Sequence, residues 1–153
     1  MVNDKMDNKL ETSEMSAPTQ VAATHFVQFA NDYIRAIENG ATGEALAKFL
    51  HPDVTHYDLP NRFDPSGKIS DRKAMLATAE RGTKMMRSQK YDVLSTVAQG
   101  NTVVLEIDWV GKLAVAVGPV PAGGELHARI ATFLEFQDGL IILQRDYVCY
   151  DPF

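Results

Sequence analysis

Asp146 is the side chain whose type and placement most clearly offer chemistry. Gln137-Asp138-Gly139 separates two strand-like runs, 125–136 and 140–150, and a three-residue loop with glycine last suits a type I turn closed by a left-handed residue. Such a loop pairs Phe136 with Leu140 and gathers the even-numbered positions on one face: Leu126, Ala128, Ile130, Thr132, Leu134, Phe136, Leu140, Ile142, Gln144, Asp146, Val148 and Tyr150. Asp146 is the only charge in that row. A carboxylate turned among hydrocarbon is expensive, so its pKa rises or a useful partner meets it there. A raised acid lies nearer the range where proton transfer is efficient. The plainer alternative is a carboxylate hydrogen-bonded into the core, or paired with Arg129 or Arg145 around the strand.

His56 and Asp58 alternate on a short strand and point the same way. His56 can share a proton with Asp146 or orient a substrate oxygen; Asp58 can act as a base or fix one tautomer of His56. Against this stands a solvated pair at a pocket mouth. Tyr33, on the apolar stripe of the first helix, offers a phenol to a developing oxyanion, or is a core tyrosine with its hydroxyl at the rim. Trp109, Met75, Ile107, Ile130, Leu134, Val148 and Tyr150 are expected to wall the pocket; Met75 with Met85 and Met86 makes that wall soft, or simply fills gaps. His51, Asp53, His56 and Asp58 cluster without the spacing of a metal site, so no metal is expected. Cys149 is the only cysteine and falls on the opposite face, which excludes an internal disulfide and gives a thiol nucleophile no activator. No glycine loop has the form of a phosphate cradle.

The elements that position these groups follow from periodicity. Phe26, Phe29, Ala30, Tyr33, Ile34 and Ile37 mark a helix stopped by Asn39-Gly40. Thr42 caps a short second helix through Leu50, and His51-Pro52-Asp53 breaks it. A strand runs over 54–59, residues 61–68 form a loop, and Ser70 caps a third helix over 71–86. Four sequential strands follow, 91–98, 102–116, 125–136 and 140–150, with Gly100-Asn101 as a tight turn and 118–124 as a longer one. Helices first and strands last predict an α+β fold, a curved sheet wrapped over helices. The last hairpin's other face carries Glu125, His127, Arg129, Phe133, Glu135, Ile141, Leu143, Arg145, Tyr147, Cys149 and Asp151. Its aromatics among paired charges suit a subunit contact better than a bare solvated face.

The chain's 153 residues fit one domain, over 21–153, with a loose polar tail over 1–20 that has no secretory core. A net charge of -5 without a basic cluster argues against nucleic acid, and no apolar run is long enough to span a membrane. A cytoplasmic setting fits these features.

Three segments resemble the nuclear transport factor 2-like superfamily, in particular its SnoaL-like polyketide cyclases and, more distantly, its limonene-epoxide hydrolases. These are His51-Pro52-Asp53-Val54, Asp58-Leu59-Pro60-Asn61-Arg62, and the hairpin Glu135–Ile141 followed by Arg145-Asp146-Tyr147. The resemblance spans about residues 21–153. It implies a cone of three N-terminal helices packed on a strongly curved, mostly antiparallel sheet, paired into a homodimer through the outer sheet face. It places Asp146 where the cyclases keep their acid/base aspartate, and His56 and Asp58 where the hydrolases keep a Tyr and an Asn. The hydrolases' central Arg and second Asp fall near Ile107 and Trp109, so their relay is missing. The implied activity is cofactor-free isomerisation, cyclisation or dehydration of a small hydrophobic organic substrate. A ligand-binding or association module without catalysis is the alternative, and an epoxide hydrolase the third, because the superfold hosts all of them.

Overall fold

The computed structural model describes residues 17–152; the tail expected over 1–20 lies, up to residue 16, outside the described residues. The elements are α1 (Ala17–Glu38), α2 (Glu44–Ala47), β1 (Leu50–Asp58), β2 (Lys68–Asp71), α3 (Arg72–Met85), β3 (Met86–Gln99), β4 (Thr102–Leu113), β5 (Glu125–Gln137) and β6 (Leu140–Tyr150). One curved six-stranded sheet has the order β2-β1-β6-β5-β4-β3. Strands β3 to β6 form the expected antiparallel meander. Strand β1 lies parallel to β6 and carries β2 antiparallel on its outer side. Among the described residues no helix is long and apolar enough to cross a membrane.

Helix α1 wedges its apolar stripe into the concave face. Phe26 stacks on Phe136 at 4.5 Å, while Phe29 meets Phe49 and Phe136 edge-on at 5.2 and 5.8 Å. The helix ends as expected: Gly40 takes a positive φ of 72° and its N–H returns to the Ile37 carbonyl at 3.0 Å. Beneath it lie Leu50, Val103, Leu105, Ile107, Leu113, Leu134 and Ile141, all without exposed surface.

Several boundaries differ from those expected. Helix α2 is a single turn that follows Gly43, with no side-chain cap from Thr42. His51-Pro52-Asp53 belongs to β1, in the stretch where pairing with β6 is interrupted between Leu50 and Thr55; proline is tolerated there because no ladder bond is asked of it. Ser70 does not cap α3. It is buried on β2 opposite His56, and Asp71 caps the helix by accepting from the Ala74 N–H at 2.8 Å. Strand β3 starts five residues earlier than expected, directly at the end of α3.

The last hairpin corrects the expected register. Gln137 pairs with Leu140 and Phe136 with Ile141, so the loop is the two residues Asp138-Gly139, both at positive φ (53° and 75°), the pattern of a type I′ turn. Ile141 therefore turns inward and is fully buried. A bulge between Glu135 and Phe136 then shifts the ladder once more, and Thr132 pairs with Asp146. The two odd shifts cancel, which returns Gln144, Asp146, Val148 and Tyr150 to the concave face. Because Asp138 is a non-glycine residue in left-handed geometry, Asp138→Val is expected to lower stability by about 1–2 kcal/mol, while Asp138→Gly does not lower it. Urea unfolding of the two variants checks this.

Candidate functional site

Asp146 does not stand alone on its face. Its Oδ1 accepts a hydrogen bond from Thr132 Oγ1 at 2.9 Å, and its Oδ2 accepts from Gln144 Nε2 at 2.8 Å and meets His56 Nε2 at 2.9 Å. Donors from β1, β5 and β6 thus converge on one carboxylate and offset the cost of placing it there. A carboxylate can only accept from Gln144 and Thr132, and the His56 contact fits an Nε2–H donor with the lone pair on Nδ1. The pair reaches solvent: the side chains of His56 and Asp146 are 20% and 18% exposed. Arg145, one of the alternative partners, instead pairs with Glu135 at 2.8 Å; Arg129 pairs with Glu106 and Asp108.

Tyr33 is 2% exposed, and its hydroxyl donates to Gln144 Oε1 at 2.8 Å, away from any rim. Burial first, then the charge of Asp146, holds the phenol far above its ordinary pKa, so it stays protonated. Its proton is committed to Gln144, and Tyr33 reaches Asp146 through that amide. Gln144 and Thr132 were not singled out from sequence. The available signal was their position as the other non-aromatic polar side chains on the concave face of this hairpin, beside and opposite Asp146.

Asp58 pairs in register with Asp146 across the parallel strands and is half-buried. Burial first, then the Asp146 charge, raises its pKa; His56 and a 3.2 Å hydrogen bond from Asn61 Nδ2 oppose the rise. Asn61 also accepts from the N–H groups of Phe63 and Asp64 at 2.9 and 3.0 Å, a local turn that fixes the loop after β1. Gly67 closes this loop at φ 65°, where a side chain would meet the Asp58 carbonyl at 2.7 Å. The loop sets Phe63 edge-on to Tyr150 at 4.6 Å; Tyr150 in turn meets Trp109 at 6.2 Å, and Trp109 meets Tyr91 at 6.4 Å.

Of the expected wall residues, Trp109 and Tyr150 belong to this aromatic group. Ile107, Leu134 and Met75 lie in the packed core, and Ile130 and Val148 pack against it, partly buried. A cleft of about 700 Å³ runs between the end of α1, α3 and β3, with Tyr91, Glu38 and Met86 in its walls. Cys149 is exposed. Among the described residues no three His, Cys, Asp or Glu side chains gather as a metal-binding group.

A helix-backed, curved sheet with polar groups converging on its concave face defines the nuclear transport factor 2-like fold. The model of the SnoaL-like domain matches residues 30–144, and the chain belongs to that family. The matched segment contains His56, Asp58 and Gln144 and stops two residues short of Asp146. Solved structures agree in fold. AclR from Streptomyces galilaeus, a candidate hydroxylase, superposes with a TM-score of 0.68 at 20% identity over 82% of this chain and 79% of its own. IdmH from Streptomyces antibioticus, a candidate polyketide cyclase, gives 0.68 at 17% identity over 80% and 91%. An LEH-like epoxide hydrolase from M. tuberculosis gives 0.64 at 15% over 84% of each chain. No curated protein matches the chain.

The raised pKa of Asp58 has a consequence for stability. Between its ordinary value of 3.8 and its raised folded value, the native state holds the proton more tightly than the unfolded chain. Stability therefore falls as pH rises through that window, and above it the ionised group is a constant cost. Asp58→Asn, which keeps an oxygen for Asn61, is expected to raise the Tm at neutral pH, with the gain vanishing below pH 3.8. Thermal melts across pH check this; equal gain at all pH values contradicts it.

Proposed function

We propose that this protein is a cofactor-independent enzyme that moves a proton on a small hydrophobic organic substrate, in an isomerisation, cyclisation or dehydration. The observation that carries this reading is the partly exposed His56–Asp146 pair, joined at 2.9 Å and held on its other side by Thr132 and Gln144. Asp146 takes or gives the proton and His56 shares it. The 2.9 Å contact lets one group pass a proton directly to the other. Removing a proton from carbon next to a carbonyl leaves an enolate; returning it to a different carbon or oxygen completes an isomerisation, and attack of the enolate on a second carbonyl closes a ring. Tyr33 is a positioning residue, because its hydroxyl orients the Gln144 amide that donates to Asp146. Asp58, in register with Asp146 on the neighbouring strand and inclined to hold a proton, is a second acid beside the pair. Epoxide hydrolysis fits less well, since the resemblance implies an Arg and a second Asp near Ile107 and Trp109, where this chain has hydrocarbon and an indole.

Proton transfer of this kind can be followed without knowing the natural substrate. Loss of the α-hydrogens of 1-tetralone and of cyclic 1,3-diketones in D2O, followed by proton NMR, is expected to be accelerated by the protein. Asp146→Asn is expected to reduce that rate by about 10²–10⁴-fold. Equal exchange with the protein and with the variant rules the mechanism out.

We further propose that two copies associate through the outer sheet face. Val97, Val104, Phe133, Arg145 and Tyr57 form one row across five strands of that face. Phe133 meets Tyr147 edge-on at 5.7 Å, and Arg145 lies over the Phe133 ring at 5.4 Å. Val97 is 61% exposed, an apolar side chain with water over most of it. Sedimentation equilibrium is expected to give a dimer, and Val97→Glu a monomer; a monomeric parent protein excludes the contact.

A further inference from the structure

Trp109 is 6% exposed, and its Nε1 donor has no hydrogen-bond partner. A buried donor left unmatched is costly, and an acceptor that reaches it recovers the loss. The ring cannot easily turn to find one. A Cβ at Gly111 would lie 2.5 and 2.6 Å from Trp109 Cζ2 and Cη2 and 3.1 Å from Met86 Sδ, so the indole edge beside Nε1 is seated on a bare stretch of backbone. The Tyr91 hydroxyl lies near enough to the indole N–H for its pKa to be drawn down against the larger upward push of burial, but the two do not meet in hydrogen-bond geometry. The Tyr91 hydrogen bond itself runs to Gln89 Oε1 at 3.3 Å. Around the indole stand Tyr91 and Tyr150, both edge-on, with Phe63 edge-on to Tyr150. These aromatic rings border the acids: Tyr91 feels the charge of Asp146, and Tyr150 that of Asp58.

We infer that the Trp109 indole N–H is the binding group for a carbonyl or phenol oxygen of a flat, ring-containing ligand whose other end faces Asp146 and His56. The inference rests on the preceding reading for the ligand's place beside that pair. Aromatic edges suit a planar ring, and a fixed N–H donor selects an oxygen acceptor over hydrocarbon of the same shape. Trp109 is thus a specificity-determining residue, while the proton is moved elsewhere.

Trp109 is the only tryptophan in the chain, so the 15N-labelled protein gives a single indole cross-peak that reports on this atom alone. Two probes separate the oxygen from the ring: 1-tetralone and tetralin, its deoxygenated counterpart. Tetralone is expected to move the indole cross-peak downfield and to bind about tenfold more tightly than tetralin, a preference lost in Trp109→Phe. An indole peak that stays in place with tetralone, or that moves equally with both probes, overturns the inference, and it does so in the parent protein even where the variant fails to fold. Asp146→Asn separates this from the acid/base reading. A retained tetralone shift together with lost deuterium exchange supports both. Exchange without an indole shift overturns only the role of Trp109, and an indole shift without exchange supports it while overturning the proton-transfer reading.

Discussion

The carboxylate of Asp146 is the constraint around which the concave face is organised. A charge placed there must be met by donors, and they come from separate parts of the chain: His56 from β1, Thr132 from β5, Gln144 from β6 itself. The amide of Gln144 has its orientation decided for it. Its oxygen accepts from Tyr33, so its nitrogen faces Asp146. Helix α1 is thereby tied to the sheet by a polar link as well as by Phe26 and Phe29. Each of these groups is satisfied only if the strands hold one register, so the network specifies the fold at the same place where His56 meets Asp146.

That register was partly legible in the sequence, for reasons that lie in its local chemistry. Alternation along β4 and β5 gave the inner and outer faces correctly, because one side of each strand is hydrocarbon and a slip would turn it to water. The inward placement of Asp146 was also expected, but by a different route from the one the chain takes. A three-residue loop keeps even positions together in one step; the actual two-residue turn breaks the parity at Ile141, and the bulge beside Glu135 restores it. A bulge leaves little trace in composition, so no local signal marks it. The end of α1 at Asn39-Gly40 was legible because a left-handed glycine there is a local requirement.

What the sequence withheld is non-local. The parallel pairing of β1 with β6 joins residues about ninety positions apart, and nothing in either strand announces the other. His56 and Asp58 could be placed on one strand but not beside Asp146, since facing is set by alternation and proximity by pairing. Gln144 and Thr132 were visible on the right face yet carried no functional signal until their partners were known. Tyr91 could be placed on its strand but not beside Trp109, because that approach comes from the pairing of β3 with β4; β3 itself begins earlier than its apolar pattern suggests. The proline of β1 pointed the wrong way, reading as a break where the ladder merely pauses.

The register grades the concave face from one chemistry to another. One row across the sheet holds Leu105, Thr132, Asp146 and Asp58; the next holds Ile107, Ile130 and Val148; the third holds Tyr91, Trp109, Ala128 and Tyr150. Polar, aliphatic and aromatic rows follow one another at two-residue intervals, so the backbones of the first and third rows lie about 13 Å apart. A superfold that hosts unrelated reactions can change its chemistry by altering the first row and its ligand by altering the third, without disturbing the ladder that carries them. In this chain the middle row is featureless hydrocarbon. Under the proposed reading, discrimination between ligands comes from the two ends: an acid/base pair that needs an acidic hydrogen, and an indole donor that needs an oxygen.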